Sequence, residues 1–107
     1  MNQLSVTELA EWLADASRPR PLLLDVRQPE EVAICAIPGA VSMPMATVPL
    51  RYRELPDDRE VVVVCHHGGR SMQVAMFLEH HGFSAIHNLA GGVHAWAQGV
   101  DPSMPTY

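Results

Sequence analysis

Four consecutive valines, Val61–Val64, constrain the fold of this chain more than any other segment. β-Branched side chains favour extended backbone, and a run of them without a polar face predicts a strand that is covered on both sides. Strands of that kind belong to parallel sheets, so we predict that this segment is a central strand. Residues 22–26 form a second apolar run without alternation and predict another buried strand.

Helical patterns alternate with these strands. Ser5 and Glu8 have the spacing of a capping box, which together with the apolar face that follows predicts a helix over Val6–Ala14. The remaining patterns predict, in chain order, a short helix from Pro29, a strand at 40–43, a helix at 48–55, a helix at 71–81 that is buried on almost every face, a strand at 83–87, and a helix opened by Gly91 and Gly92. This alternation predicts an α/β fold with a central, mainly parallel sheet of four to five strands flanked by helices.

The composition is that of a folded domain. The chain has 107 residues, of which 48% are hydrophobic and 18% charged, a balance that excludes the disordered class. No repeat or flexible linker divides it, so we expect one domain over residues 1–107. The net charge of -5 provides no basic face for a phosphate backbone, so we expect neither nucleic acid nor a membrane surface as a partner.

The sequence also bears on the compartment. No apolar stretch approaches the roughly 20 residues that span a bilayer. Glu8, Glu11 and Asp15 lie where a signal peptide has a cationic start and an apolar run, so we expect a cytoplasmic protein. Cys35 and Cys65 are too few for a disulfide scaffold and suit thiols that are kept reduced.

The candidate chemistry lies at Cys65, directly after the valine strand. In open α/β sheets the ligand crevice lies beyond the carboxyl ends of the strands. The residues that follow, before the next helix, are His66, His67, Gly68, Gly69, Arg70 and Ser71. Two glycines allow the backbone to curl so that its N–H groups face one point. Such a ring, with a helix N-terminus and an arginine behind it, stabilises an anion, and here it favours a nucleophilic Cys65 thiolate.

A structural role for Cys65 is the alternative, since lone cysteines are often small buried apolar residues. That role gives no reason for the Gly-Gly-Arg-Ser sequence behind the thiol. We therefore favour a catalytic Cys65.

The run from Cys65 to Ser71 resembles the active-site loop of single-domain rhodaneses, sulfurtransferases with the usual pattern Cys-x-x-Gly-x-Arg-Ser or Thr. Three further segments are similar to the other signatures of this family, in the same order: residues 23–27, Glu31 with 37–40, and 89–92 with Ala95 and Trp96. The resemblance implies a three-layer fold and a catalytic Cys65. It implies that Cys65 takes a sulfane sulfur from a donor such as thiosulfate, carries it as a persulfide and passes it to cyanide or a thiol, without a cofactor.

The resemblance also implies roles for the rest of the loop. His66, His67, Gly68, Gly69, Arg70 and Ser71 would bind substrate, with the backbone N–H groups on the persulfide and Arg70 on the anionic donor. Two departures stand out. Cys35 and Ala36 replace the usual Gly-His before Ile-Pro-Gly, which affects a structural turn. His66 stands where arginine is common, which bears on the choice of donor.

Two other functions stay open. One is a rhodanese-like docking or redox-sensing module without turnover, although such a module has no need of a nucleophile in an anion cradle. The other, weaker one is a cysteine-dependent phosphatase. Phosphatases on related folds carry the arginine six positions after the cysteine, whereas Arg70 is the fifth residue after Cys65.

The remaining polar and aromatic residues receive structural interpretations. We expect no metal at His66 and His67, because adjacent residues do not readily turn three side chains onto one ion and no zinc-finger spacing is present. Asp25 and Arg27 are expected to form a structural ion pair, and Cys35 to pack rather than react. We expect the remaining histidines to lie on the surface or at helix ends: His80, His81, His87 and His94. We expect both tryptophans, Trp12 and Trp96, to lie in the core.

Overall fold

A computed structural model describes residues 1–107 as a five-stranded sheet between two layers of helices. The elements in chain order are β1 (Asn2–Leu4), α1 (Val6–Ala14), β2 (Leu22–Asp25), α2 (Pro29–Ile34), β3 (Val41–Ser42), a 3-10 turn (Met45–Thr47), α3 (Val48–Arg51), a second 3-10 turn (Tyr52–Glu54), β4 (Val61–Val64), α4 (Gly69–His80), β5 (Ile86–Leu89) and α5 (Gly92–Gly99). None of the helices has the length and apolar character needed to cross a membrane.

The sheet has the order β1-β5-β4-β2-β3, and every neighbouring pair is parallel. The valine strand β4 is therefore the central strand, as predicted. The predicted α/β fold with a mainly parallel sheet of four to five strands is confirmed, and the sheet has five strands. Since all strands run in one direction, their carboxyl ends share one edge, and Cys65 lies at that edge directly after β4.

The alternation of side chains along β4 supplies two hydrophobic cores. Val61 and Val63 pack on one face of the sheet with Val74 and Leu78 of α4. On the opposite face, Val62 and Val64 pack in a cluster whose helical members include Leu9 and Trp12 of α1 and Val93 and Trp96 of α5. All four valines are fully buried. A strand covered on both faces has no use for polar side chains, which explains the unbroken run of valines.

Local capping fixes the first helix where the sequence predicts it. The Glu8 backbone N–H donates to Ser5 Oγ over 3.1 Å, and the Ser5 N–H donates to Glu8 Oε1 over 2.9 Å. This reciprocal capping box satisfies two N–H groups that a helix end would otherwise leave unpaired. The predicted bounds Val6–Ala14 are confirmed, and Trp12 and Trp96 are both buried in the core as expected.

Several predicted elements differ from the structure. The last strand is Ile86–Leu89 rather than 83–87, because Phe83 still bonds Leu78 at the end of α4 and pairing with β4 starts at Ile86. The helix predicted at 48–55 is α3 followed by a 3-10 turn. The edge strand β1 was not predicted, because its three residues carry no apolar alternation and form a strand only through pairing with β5.

The helix predicted at 71–81 begins earlier, at Gly69, and ends at His80. It is not buried on almost every face: Met72 and Met76 are 39% and 48% exposed, while Val74, Ala75 and Leu78 face the sheet. One side of a helix that covers one face of a sheet remains in solvent, whatever its side chains are.

Candidate active site

Cys65 lies at the carboxyl end of the central strand and is 1% exposed. Its sulfur accepts a hydrogen bond from the Gly68 backbone N–H over 3.0 Å, and Ser71 Oγ lies 3.2 Å away. The thiol is thus held between the turn of the loop and the first turn of α4. A helix N-terminus carries a partial positive charge, which favours a negative charge on this sulfur.

Of the two loop glycines, Gly68 makes the turn. Its φ of +105° lies in the left-handed region, and a Cβ there would lie 3.3 Å from the Gly91 nitrogen and 3.4 Å from the Leu89 oxygen. Gly69 has no such constraint: it starts α4 without a positive φ, and a Cβ on it would meet nothing within 4 Å. The sequence analysis treated the two glycines alike, but only the first has a backbone that requires glycine.

Asn88 links the loop to the sheet, a role that the sequence analysis missed. Ser71 Oγ donates to Asn88 Oδ1 over 2.5 Å, while Asn88 Nδ2 donates to the Gly68 carbonyl over 3.2 Å and to Gln3 Oε1 over 2.9 Å. The side chain of Asn88 is buried in β5, where a polar residue needs such partners. The signal available in the sequence was a polar residue, Asn88, directly before the Leu-Ala-Gly-Gly segment.

Arg70 does not stand free beside the thiol. Its Nη1 and Nη2 donate to Glu31 Oε1 and Oε2 over 2.7 and 2.9 Å, and the Tyr107 hydroxyl donates to Glu31 Oε2 over 2.8 Å. The hydrogen bonds from Arg70 lower the pKa of Glu31 to about 2, and those to Glu31 raise the pKa of Arg70. The expected anion-binding arginine therefore has a carboxylate partner, which its sequence motif does not reveal.

The N-terminus of α5 supports the loop from behind. The Val93 and His94 N–H groups donate to the Cys65 and His66 carbonyls over 2.9 and 3.1 Å. The first N–H groups of a helix lack partners within the helix, so this contact satisfies both elements. Gly92 permits it: its φ is +59°, and a Cβ there would lie under 3.0 Å from both carbonyl oxygens.

His94 lies in the first turn of α5, in agreement with its predicted place at a helix end or on the surface, and its ring lies beside those of His66 and His67. The centroid of the His67 ring lies 3.9 Å from that of the His66 ring and 4.9 Å from that of the His94 ring. The ring of Tyr107 stacks on His66 at 3.9 Å with an interplanar angle of 11°. Burial lowers the pKa of His66, the charges of His67 and His94 lower it further, and Glu31 acts in the opposite direction.

The other histidines divide into two kinds. His80 and His81 are exposed at the end of α4, as predicted. His87 is not at a helix end or on the surface: it lies in β5, is 7% exposed, and contacts the Trp12 ring edge-on at 5.4 Å. The sequence analysis ended β5 at His87, whereas the strand continues to Leu89, so this position is covered.

The predicted ion pair between Asp25 and Arg27 is confirmed. Arg27 Nη2 lies 2.7 Å from Asp25 Oδ2, and both side chains are buried. Arg27 also donates to the Cys35 carbonyl over 2.7 Å. Burial opposes the charge of Arg27, but its hydrogen bonds to Asp25 and Tyr107 outweigh burial and raise its pKa. Cys35 is 8% exposed beside this arginine, in agreement with its predicted packing role.

Comparison with known proteins adds an independent observation. The family model of the rhodanese-like domain matches residues 5–99. A sulfurtransferase from Allochromatium vinosum is 40% identical over 98 residues, which cover 92% of this chain and 90% of that protein. The putative sulfurtransferase YtwF from Bacillus subtilis is 41% identical over 80 residues, 75% of this chain and 77% of that one.

The fold has solved counterparts as well. The crystal structure of a rhodanese-like domain protein from Staphylococcus aureus superposes with a TM-score of 0.84. The two chains are 32% identical, and the match covers 100% of this chain and 99% of the other. The match extends over all five strands and both helical layers, including the Cys65 loop.

Proposed function

Because this chain belongs to the rhodanese-like domain family, as its motifs predicted, we propose that it is a sulfurtransferase that works through a persulfide on Cys65. Sulfurtransferase relatives at about this chain's length support sulfur transfer in general. The observation that carries the finer proposal is the position of the Cys65 sulfur. It lies at the end of the central strand, 3.0 Å from the Gly68 N–H and at the N-terminus of α4.

The proposed reaction has two displacements at sulfur. In the first, the Cys65 thiolate attacks the sulfane sulfur of a donor such as thiosulfate. A new S–S bond forms, the donor S–S bond breaks, and sulfite leaves with the bonding electron pair. In the second, cyanide or a thiolate attacks the outer sulfur of the persulfide. The Cys65 S–S bond breaks, and thiocyanate or an acceptor persulfide leaves while the Cys65 thiolate returns. Electrons balance between donor and acceptor, so neither step requires a cofactor.

The loop residues receive distinct roles in this proposal. The Gly68 N–H stabilises negative charge on sulfur in both displacements, because a fixed donor costs no reorganisation when charge develops. Arg70 attracts an anionic donor with the part of its charge that Glu31 leaves available. Ser71 positions the thiol, and Gly69 starts the helix behind it. His66 and His67 form the exposed side of the loop that donor and acceptor approach first.

The geometry argues against phosphate as the substrate. A phosphatase needs its arginine on the equatorial oxygens of the transferred group. Arg70 is the fifth residue after Cys65 and already makes two hydrogen bonds to Glu31. The loop therefore offers a tetrahedral phosphoryl group neither the length nor the free guanidinium that it needs.

Intact-protein mass spectrometry after treatment with thiosulfate tests the proposal. We expect the mass of one added sulfur atom, removed again by cyanide or dithiothreitol, and thiocyanate formation in the presence of both substrates. Cys65→Ser should show neither, while the matched Cys35→Ser variant should show both, because Cys35 has no loop N–H on its sulfur.

Two results would contradict the proposal. An unchanged mass in excess thiosulfate and in excess of a persulfide donor would favour a docking or redox-sensing module. Release of phosphate from an aryl phosphate that depends on Cys65, without thiocyanate formation, would favour a phosphatase.

A further inference from the structure

Three histidines from two elements converge on the outer side of the Cys65 loop. His66 and His67 belong to the loop and His94 to the first turn of α5. One nitrogen of each ring lies within 4.8 Å of the other two. We propose that His66, His67 and His94 form a binding site for a divalent transition metal of the zinc type, a site that the sequence analysis excluded.

The fold supplies the third ligand that two adjacent histidines lack. The His94 N–H donates to the His66 carbonyl over 3.1 Å, which places the first turn of α5 against the loop. The ring of His94 then lies 4.9 Å from that of His67 and 6.1 Å from that of His66, centre to centre. Zn–N bonds of about 2.0–2.1 Å place tetrahedral ligand nitrogens about 3.4 Å apart. The side chains must rotate to reach that spacing from 4.8 Å, and the exposed His67 ring is the one with the most room to do so.

The chemistry of the three ligands selects the metal. Imidazole nitrogens suit Zn²⁺, Cu²⁺ and Ni²⁺, whereas Mg²⁺ and Ca²⁺ require oxygen ligands, which this group does not provide. Three protein ligands leave a fourth position for water or another exchangeable ligand. His67 is exposed and the other two are half-buried, so a metal ion can enter from solvent and keep that position open.

A second contact orders the site before a metal binds. The Tyr107 ring stacks on His66 at 3.9 Å, and its hydroxyl is hydrogen-bonded to Arg27 and Glu31. The ring of His66 is therefore held between Tyr107 and His67. A ligand ring that is already ordered loses less conformational entropy on binding, which favours a specific site.

The site does not depend on the thiol or on the proposed sulfur transfer. Cys65 is 1% exposed. Its sulfur accepts a hydrogen bond from the Gly68 N–H and lies within hydrogen-bond distance of the Ser71 hydroxyl. Cys65→Ser therefore removes the competing thiolate ligand while leaving the three histidines in place. Metal binding can be measured in that background without reference to activity.

The experiment is calorimetric titration of tag-free Cys65→Ser protein with Zn²⁺. We expect one ion per chain, and a melting temperature that rises with the logarithm of the zinc concentration, since a ligand of the native state stabilises it by mass action. Adding His67→Ala or His94→Ala should weaken binding by about 10- to 100-fold or more, because even loss of an outer-shell partner has that effect. His80→Ala is the matched control and should bind as before, since His80 is exposed on α4.

Three results would overturn the proposal. The first is no heat and no thermal shift with Zn²⁺, Cu²⁺ or Ni²⁺. The second is binding that persists in the His94→Ala protein, which would make it nonspecific. The third is binding only when Cys65 is present, which would identify the thiolate as the ligand. Because His67 is exposed, His67→Ala leaves the fold intact and decides the matter even if His94→Ala disturbs α5.

Discussion

Arg70 and Glu31 form a two-pronged ion pair that joins the first turn of α4 to the first turn of α2, with N–O distances of 2.7 and 2.9 Å. The Gln28 N–H and the Tyr107 hydroxyl also donate to the Glu31 carboxylate. The carboxylate is thus fixed from three sides, and it holds the guanidinium in one place. The charge that an incoming anion meets is that of a pair, and it is weaker than that of a free arginine.

Arg70→Ala should impair the use of thiosulfate more than the use of a less anionic persulfide donor. A guanidinium matters most where the negative charge of the donor is concentrated. We expect KM for thiosulfate to rise about tenfold, which corresponds to about 1.4 kcal/mol, with a smaller change for the persulfide donor. Steady-state kinetics with both donors measure this. Equal losses for the two donors would assign Arg70 to loop architecture.

Glu31→Gln is the companion variant, because it keeps the shape of the side chain and removes its charge. The released guanidinium should then bind anionic donors better, so KM for thiosulfate should fall severalfold while the value for the less anionic persulfide donor changes less. The two variants thus shift KM in opposite directions. A rise in KM for Glu31→Gln would mean that the pair is needed to position Arg70.

The acid stability of the protein should depend on Glu31. Its pKa is lowered from 4.5 to about 2, chiefly by the hydrogen bonds from Arg70. The folded form holds its proton less tightly than the unfolded form, so the pair stabilises fully above pH 4.5, and this contribution is lost as the pH falls from 4.5 toward 2.

Urea unfolding at several pH values measures this dependence. The free energy of unfolding of the wild type should fall more steeply below pH 4.5 than that of Glu31→Gln, and the difference between them should stay constant from pH 5 to 7. The Arg70 side chain is 36% exposed, so solvent screening makes the effect modest. Parallel curves through the acid range would show that the pair adds nothing to stability.

The local features of this fold were predictable from sequence because each depends on neighbouring residues. The capping box of Ser5 and Glu8 and the run of valines in β4 act within a few positions, and both appear in the structure as predicted. The position of Cys65 follows from them, since it is the first residue after the central strand. The β1 strand is the counterexample, because it exists only through pairing with β5.

The contacts that complete the site lie between distant segments and leave no local pattern. Ser71 and Asn88 are 17 positions apart, and Arg70 and Glu31 are 39 apart. A periodic pattern tells which face of an element is buried, but not which side chain of another element it meets. His94 shows this most clearly: its approach to His66 requires the α5 helix to dock on the loop, which depends on the whole sheet order.

Arg27→Ala should destabilise the protein by about 3–5 kcal/mol, because it leaves the buried Asp25 carboxylate without its partner. Both side chains of the pair are buried, with exposures of 0% and 2%. Arg51→Ala is the control: Arg51 pairs with Glu54 in solvent, and such pairs contribute about 0–1 kcal/mol. Urea unfolding at pH 7 compares them. A loss below about 1 kcal/mol for Arg27→Ala would show that water reaches Asp25 when the arginine is removed.

The two glycines that start α4 and α5 should respond to alanine in opposite ways. Gly92 has a φ of +59°, and an added Cβ would lie under 3.0 Å from the Cys65 and His66 carbonyl oxygens. The left-handed backbone alone costs about 1–2 kcal/mol for a residue with a Cβ, and the loop must also move. Gly69 has no positive φ and open space at its Cβ position, so alanine there should stabilise α4 by about 0.4–1 kcal/mol.

Sulfur transfer and urea unfolding, measured together on Gly92→Ala and Gly69→Ala, test this contrast. Gly92→Ala should lose more than about 2 kcal/mol of stability and at least tenfold in rate, because the α5 N–H groups no longer hold the loop carbonyls. Gly69→Ala should keep its rate, since the Gly68 N–H that donates to the Cys65 sulfur is unchanged. An inactive but stable Gly69→Ala protein would mean that the substrate needs the space beside Gly69. An active Gly92→Ala protein would mean that the loop holds its shape without α5.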